Sequence, residues 1–184
     1  MPDATKAILE NRKLRMSGPL PEDQMFLKAA RVVEGLSKIS EITIDFMSPR
    51  KDLDLAALVG RTHKAKVQKG EEGSDQWREF VATCTEAEFM GIHDGYGFYT
   101  LQLRSWFWFL TRTSNNFIFQ NMSTVDIIKQ VFQARGFSDF TINVSRTPEQ
   151  RIYTVQYAES DYDFLCRLME EEGIYFFSTV KNGK

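Results

Sequence analysis

From residue 42 the chain alternates apolar and polar side chains in short runs. Ile42, Ile44 and Phe46 alternate with Thr43, Asp45 and Met47, the period of a strand with one buried face. Pro49 ends that run, because proline cannot donate to a strand ladder. Asp52 or Asp54 is placed to cap a short helix over Leu55 to Val59, with Gly60 at the left-handed position beyond it. His63, Ala65 and Val67 mark the next strand, followed by a charged, glycine-containing loop from Lys69 to Asp75. Trp77 to Thr85 reads as a strand with Phe80, Ala82 and Cys84 on one face. Glu88 to Ile92 and Tyr96 to Arg104 flank Asp94-Gly95, a pair suited to the positive φ values of a type I′ hairpin turn. Tyr99, Leu101 and Leu103 share one face of the second arm. Before residue 42 the signal is weaker. Asp3 to Glu10 has the makings of a helical turn and Lys13 to Met16 of a short strand, and Gly18, Pro19 and Pro21 punctuate. Residues 1–24 are therefore expected to be a tail plus an edge hairpin.

Two helices follow. Val125, Ile128, Val131 and Phe132 form an apolar stripe at helical spacing after Ser123, and Ser123 with Asp126 resembles a capping box. Gly136 closes this helix. Ser160 and Asp163 open the second in the same way, its stripe is Tyr162, Leu165, Cys166 and Met169, and Gly173 ends it. Between the two, Tyr153, Val155 and Tyr157 alternate as a strand. Ile174 to Val180 reads as a strand apolar on both faces, which calls for burial. The run Trp106-Phe107-Trp108-Phe109-Leu110 fits a strand or a helix capped by Ser105 equally well, and it belongs in a core or an interface. The order of elements predicts an α+β fold, mainly β: a barrel-like antiparallel sheet with inserted helices.

Composition agrees with a folded domain. The 184 residues are 42% hydrophobic and 26% charged, and 13% are aromatic, a richness that favours β-structure. A net charge of -2 argues against gripping nucleic acid or an anionic membrane, which needs clustered Lys and Arg. The longest apolar run is Trp106 to Leu110, far below the ~20 residues of a membrane helix. Residues 1–15 contain no apolar stretch of a secretory signal. Cys84 and Cys166 are expected to be reduced thiols, with one disulfide as the alternative.

No catalytic motif stands out. His63 lies on the apolar face of a predicted strand, where a satisfied core histidine is the expectation, and His93 beside Asp94 reads as an exposed turn residue. Two histidines without a nearby cysteine pair do not make a closed zinc site. Asp52/Asp54 and Asp161/Asp163 are carboxylate pairs of the kind a glycosidase uses, but Asp163 is better explained by the helix N-terminus it opens. No cofactor is expected. Glu170-Glu171-Glu172 is different: three acids at a helix C-terminus oppose the macrodipole, as an acidic patch for a basic partner would.

One long stretch resembles a known family. Leu103 through Ser114, the string LRSWFWFLTRTS, followed by Phe117-Ile118-Phe119-Gln120-Asn121, is similar to the VgrG family of type VI secretion spike proteins and their phage tail hub relatives. Two further blocks match. One is Ser123 to Phe132. The other runs from Val155 through the Gln156-Tyr157-Ala158-Glu159-Ser160-Asp161 junction to the Glu171-Glu172-Gly173-Ile174-Tyr175 exit and on to Phe177. The resemblance covers roughly Phe26 to Phe177, and the region before Ile42 departs from it.

The resemblance implies a phage tail hub-like fold. Residues 1–24 would be the tail or edge hairpin, 25–157 the first hub barrel with its helical insertion, and 158–184 a helix and the first strand of a second barrel that is missing here. It implies a mechanical role without enzymatic activity. The protein would be a homotrimeric adaptor joining a hexameric inner tube protein to a membrane-puncturing spike. Its partners would be a spike tip protein, baseplate components and effector cargo, with no nucleic acid and membrane contact only by puncture. It would assemble in the cytoplasm and leave through the injection apparatus. The candidate interface is Glu170, Glu171, Glu172, Ile174, Tyr175, Phe176 and Phe177, and the core or interface aromatic cluster is Trp106, Phe107, Trp108 and Phe109. The alternatives are an enzyme-bearing spike fragment, with effector or cell-wall hydrolase activity, and a small barrel binding module that stacks bases on aromatics.

Overall fold

The computed structural model describes residues 13–70 and 75–180. The helical turn expected over Asp3 to Glu10 and the middle of the loop after Lys69 lie outside them. Two compact units share the chain. The first takes in the residues up to Gly35, Ile39–Trp106 and the residues from Ser178; the second is Leu36–Lys38 with Phe107–Phe177.

The first unit is a six-stranded antiparallel sheet curled into a nearly closed barrel. Its strands are β1 (Leu14–Ser17), β2 (Phe26–Val33), β3 (Glu41–Ser48), β4 (Thr62–Gln68), β5 (Trp77–His93) and β6 (Tyr96–Arg104). The spatial order is β1-β4-β5-β6-β3-β2. The alternating apolar positions turn inward together: Ile42, Ile44, Phe46, Ala65, Phe80, Ala82, Cys84, Tyr99, Leu101 and Leu103 are all buried in one core. Phe46 stacks on Tyr99 at 5.2 Å between ring centroids, and the Tyr99 hydroxyl donates to the Arg50 carbonyl at 3.0 Å.

The two runs expected over Trp77 to Thr85 and Glu88 to Ile92 are one strand of 17 residues. Its register against β6 shifts between Cys84 and Glu86 and again between Phe89 and Gly91. The first bulge explains the apparent break. Before it the even positions Phe80, Ala82 and Cys84 face inward; after it Ala87 and Phe89 stand opposite Leu101 and Tyr99. A bulge reverses the face of every later residue, so simple alternation fails across it. The Asp94-Gly95 turn is as predicted, with φ of 48° and 82°.

The helix expected over Leu55 to Val59 is a turn. Asp54 Oδ1 accepts from the Ala57 amide at 3.3 Å, but Leu58 and Val59 both bond back to Leu55 and no second turn follows. Five residues are too few to offset helix nucleation. Gly60 holds a φ of 77°, and its N–H reaches the Cys84 carbonyl at 2.8 Å, extending the β4–β5 ladder.

The second unit pairs β7 (Ser114–Ser123) with β8 (Gln150–Ser160) and carries α1 (Thr124–Ala134) and α2 (Asp161–Glu171). Both predicted caps form. Ser123 Oγ accepts from the Asp126 amide at 3.2 Å and Ser160 Oγ from the Asp163 amide at 3.0 Å. Each serine also donates to its aspartate, at 2.6 Å in both cases. Both helices end in a Schellman arrangement around glycine: the Phe137 amide bonds to the Phe132 carbonyl and the Ile174 amide to the Met169 carbonyl. The buried stripe of α2 is rotated from the expected one. Phe164, Leu165, Leu168 and Met169 are buried, whereas Tyr162 and Cys166 sit at its edge. In β8 the burial is the reverse of what hydrophobicity suggests: Thr154 and Gln156 face in, while Tyr153 and Tyr157 are exposed.

Ile174 to Val180 joins no ladder. One side of the segment is covered. Phe176 lies 4.4 Å from the Phe107 ring and its carbonyl accepts from the Ser37 amide at 2.8 Å. Tyr175 and Phe177, on the other face, are 60% and 59% exposed. The segment is thus half-covered rather than a fully buried strand.

Candidate assembly surface

The acidic end of α2 is largely matched inside the chain. Arg151, on β8, reaches Glu171 at 2.5 Å and Glu172 at 2.9 Å. Arg167 sits one turn before Glu171 and approaches it at 3.7 Å, and it also pairs with Glu159 at 2.6 Å. Arg146 stands 3.7 Å from Glu172, and Thr124 Oγ1 donates to Glu172 at 3.3 Å. These arginines relieve the clash of the acids with the helix dipole. Only the i, i+4 spacing of Arg167 and Glu171 was visible in the sequence; Arg151 and Arg146 arrive through the fold. Glu170 remains exposed.

The aromatic run is a 3₁₀ helix, Trp106–Arg112, after β6 ends at Arg104. It buries Phe107 and Leu110. Phe107 meets Phe132 and Tyr162 edge-on at 5.8 and 5.5 Å, so this side chain packs among the helices of its own unit. Trp106, Trp108 and Phe109 are half-buried, and the Arg112 guanidinium lies 5.6 Å from the Trp108 ring. Ile174 and Phe176 are half-buried, and Tyr175 and Phe177 stack at 6.3 Å on the open side.

A second surface was not anticipated. β6 begins its pairing with β5 at Arg104 opposite Thr83, so Trp77 to Ala82 has β4 on one side and no strand on the other. The Cys84 amide donates to Arg61 and the Cys84 carbonyl accepts from Gly60, so even positions of β5 point toward β4. Antiparallel alternation then aims the backbone groups of Trp77, Glu79 and Val81 at the open side. Among the described residues no backbone group meets them there. The edge borders a slot of about 580 Å³ whose other walls include Glu34, Ser40 and Ser178 to Val180. A shortfall in the length of β6, invisible without the register, creates it.

His93 is placed as expected, and His63 is in the core but satisfied at one ring nitrogen only among the described residues. His63 is fully buried, with Nε2 3.4 Å from the Leu58 carbonyl. Burial holds its pKa below the ordinary value, opposed by that hydrogen bond. His93 is exposed and 3.2 Å from Asp94. Cys84 and Cys166 are both free thiols, each pushed up to about 11 chiefly by burial. Among the described residues no cluster of three His, Cys, Asp or Glu side chains is arranged to hold a metal, and no helix is long and apolar enough to cross a membrane.

The six-stranded barrel has the fold of tail-hub proteins. A solved Escherichia coli protein, c3393, superposes with a TM-score of 0.77 at 21% identity over 88% of this chain and 44% of its own. It is described as a component of the type VI secretion system with structural similarity to the T4 bacteriophage tail proteins gp27 and gp5. A chain of a Francisella PdpA–VgrG complex superposes with a TM-score of 0.60 at 12% identity over 86% of this chain and 28% of its own. The phage tail baseplate hub (GPD) family profile matches residues 33–184, and the chain belongs to that family. The type VI secretion system spike protein VgrG1b of Pseudomonas aeruginosa is 36% identical over 168 residues, 91% of this chain and 22% of the relative. The chain thus spans about a fifth of the length of the curated relatives it matches.

Proposed function

We propose that this chain is a hub region of the spike of a contractile injection machine, of the type VI secretion or phage-tail kind. It works as a structural adaptor: three copies form a ring that seats the spike on a hexameric inner tube and contacts the spike tip, the baseplate and effector cargo. The ring assembles in the cytoplasm and is exported on firing, meeting a membrane only by puncture. The observation that carries this reading, beyond family membership, is the edge of β5 left without a partner strand among the described residues, along which Trp77, Glu79 and Val81 are half-buried. An edge of that kind is a template for another strand. The aromatic side of Tyr175 and Phe177 supplies the apolar area that a lasting subunit contact needs. Ile174 and Phe176 support that side from within, and Glu170 is the one acid of its triplet without an ion-pair partner among the described residues.

An enzyme-bearing spike is the second reading. A relative named actin cross-linking toxin VgrG1, from Vibrio cholerae, is 37% identical over 75 residues, 41% of this chain but 7% of the relative. Such a small share favours placing any effector chemistry outside these residues. The deciding experiment is sedimentation of the full-length protein. Val81→Pro, which removes a donor from the open edge, and the pair Tyr175→Glu with Phe177→Glu are each expected to shift trimer to monomer. Circular dichroism of the subunit should stay unchanged. A trimer undiminished in all variants overturns the reading.

A further inference from the structure

A buried ion pair in the second unit fixes an arginine at the wall of a small cavity. Asp161 is 1% exposed, and its carboxylate is fully engaged. Oδ1 accepts from Gln156 Nε2 at 2.8 Å, and Oδ2 accepts from Thr113 Oγ1 at 2.8 Å and from Arg135 Nε at 2.6 Å. Burial alone would push this carboxyl up, but the bonds from Arg135, Gln156 and Thr113 outweigh it and hold the group below the usual range. The arrangement uses one of the five N–H groups of Arg135. Among the described residues neither Nη nitrogen has a hydrogen-bond acceptor, and the side chain is 30% exposed.

Arg135 and Asp161 line a cavity of about 110 Å³ between α1 and the β7–β8 pair. The Phe117 ring, 44% exposed, forms one apolar wall. The amides of Asn115 and Gln130 stand at the rim as neutral donors. A guanidinium fork held at Nε and open at Nη matches a carboxylate in two parallel bonds. The charge balance narrows the choice. Arg135 is already neutralised by Asp161, so a doubly charged group set beside that carboxylate is disfavoured against a singly charged one.

We propose that this cavity is a socket for the carboxylate of an acidic side chain on a partner polypeptide, gripped by the Nη edge of Arg135 with its methylene against Phe117. Asp161, with Gln156 and Thr113 behind it, is the positioning residue that keeps the fork aimed outward. The exposed apolar ring at the mouth favours a polypeptide over a free metabolite, since it adds contact area around the charge.

The test is titration of the isotope-labelled chain, followed by NMR, with sodium acetate and with aspartate blocked at both ends. Acetamide and sodium chloride at matched ionic strength are the comparators. Both carboxylates are expected to shift the Arg135 side-chain and Asn115 and Gln130 amide signals saturably, the blocked aspartate more tightly, and acetamide not at all. Gln130→Glu sets a negative charge at the rim on an exposed position of α1 without touching the Asp161 bonds. It is expected to weaken acetate binding about tenfold while the remaining spectrum stays that of the folded chain. Absent shifts, an equal response to acetamide, or unchanged binding in Gln130→Glu overturns the socket. Acetate binding without blocked-aspartate binding overturns the polypeptide as its occupant.

Discussion

His63 shows how little freedom a core residue has once its neighbours are in place. Its imidazole is sealed by close packing: a Cβ on Gly18 would lie 2.5 Å from His63 Nδ1, so only glycine fits there. The ring bonds through Nε2 alone, and Nδ1 has no protein partner among the described residues. A proton added to this ring would sit in the core without compensation. The folded pKa is therefore lowered while the unfolded chain keeps the ordinary 6.5. Between the folded value and 6.5 the unfolded chain binds more protons, so stability falls as pH drops below about 6.5, by at most about 1.4 kcal/mol per pH unit. Urea unfolding at pH 7 and pH 5 should show this loss in the natural chain and a smaller one in His63→Gln. Asp161, also lowered, loses its contribution as pH falls below its ordinary 3.8, whereas the His63 loss begins near 6.5. The serine caps are independent of both. Ser160→Ala removes the acceptor of the Asp163 amide and should cost ~1 kcal/mol, read as a lower urea midpoint at pH 7 with an unchanged m-value.

At the scale of elements, local rules hold until a ladder, a bulge or a neighbour intervenes. The Asp94-Gly95 hairpin and both capped helices form where turn and cap chemistry put them, because their bonds run between residues close in sequence. β5 is where that logic stops. Its bulge near Thr85 exchanges the inward and outward faces, and its first six residues outrun β6. The consequence is measurable. Amides of Arg78, Phe80 and Ala82 point to β4 and should exchange slowly with deuterium, whereas those of Glu79 and Val81 point to the open side and should exchange at least about tenfold faster. Uniform protection along Arg78 to Ala82 in the isolated chain would mean that the edge is already covered. β8 teaches the same lesson from side chains: the half-turn of polar residues Thr154 and Gln156 is buried because Gln156 serves Asp161, and the tyrosines are left outside.

For the whole molecule, the α+β character, the barrel-like sheet and the family were legible from the chain. Each depends on patterns that repeat locally: alternation in Ile42 to Phe46 and Tyr99 to Leu103, helical stripes after Ser123 and Ser160, and the linear string from Leu103 to Asn121. The reach of the acidic patch was not legible. Glu170 to Glu172 look unopposed along the sequence, but Arg151 lies twenty residues from Glu171 and meets it at 2.5 Å only because β8 runs beside α2. The fate of Ile174 to Val180 was not legible either. Its apolar residues state that burial is wanted, while Phe176 against Phe107 and the open ring of Phe177 show how far this chain supplies it.

The strands from Ile42 to Arg104, the Asp94-Gly95 turn, the two capped helices and the family resemblance could be read from the chain, since these rest on torsional preference and on side chains a few positions apart. Only the tertiary structure decided which edge of β5 stays open, which aromatic faces water, and which arginine turns toward a cavity. Those outcomes depend on strand lengths and registers set by residues far apart in sequence, and no local pattern encodes the difference between a paired edge and a free one.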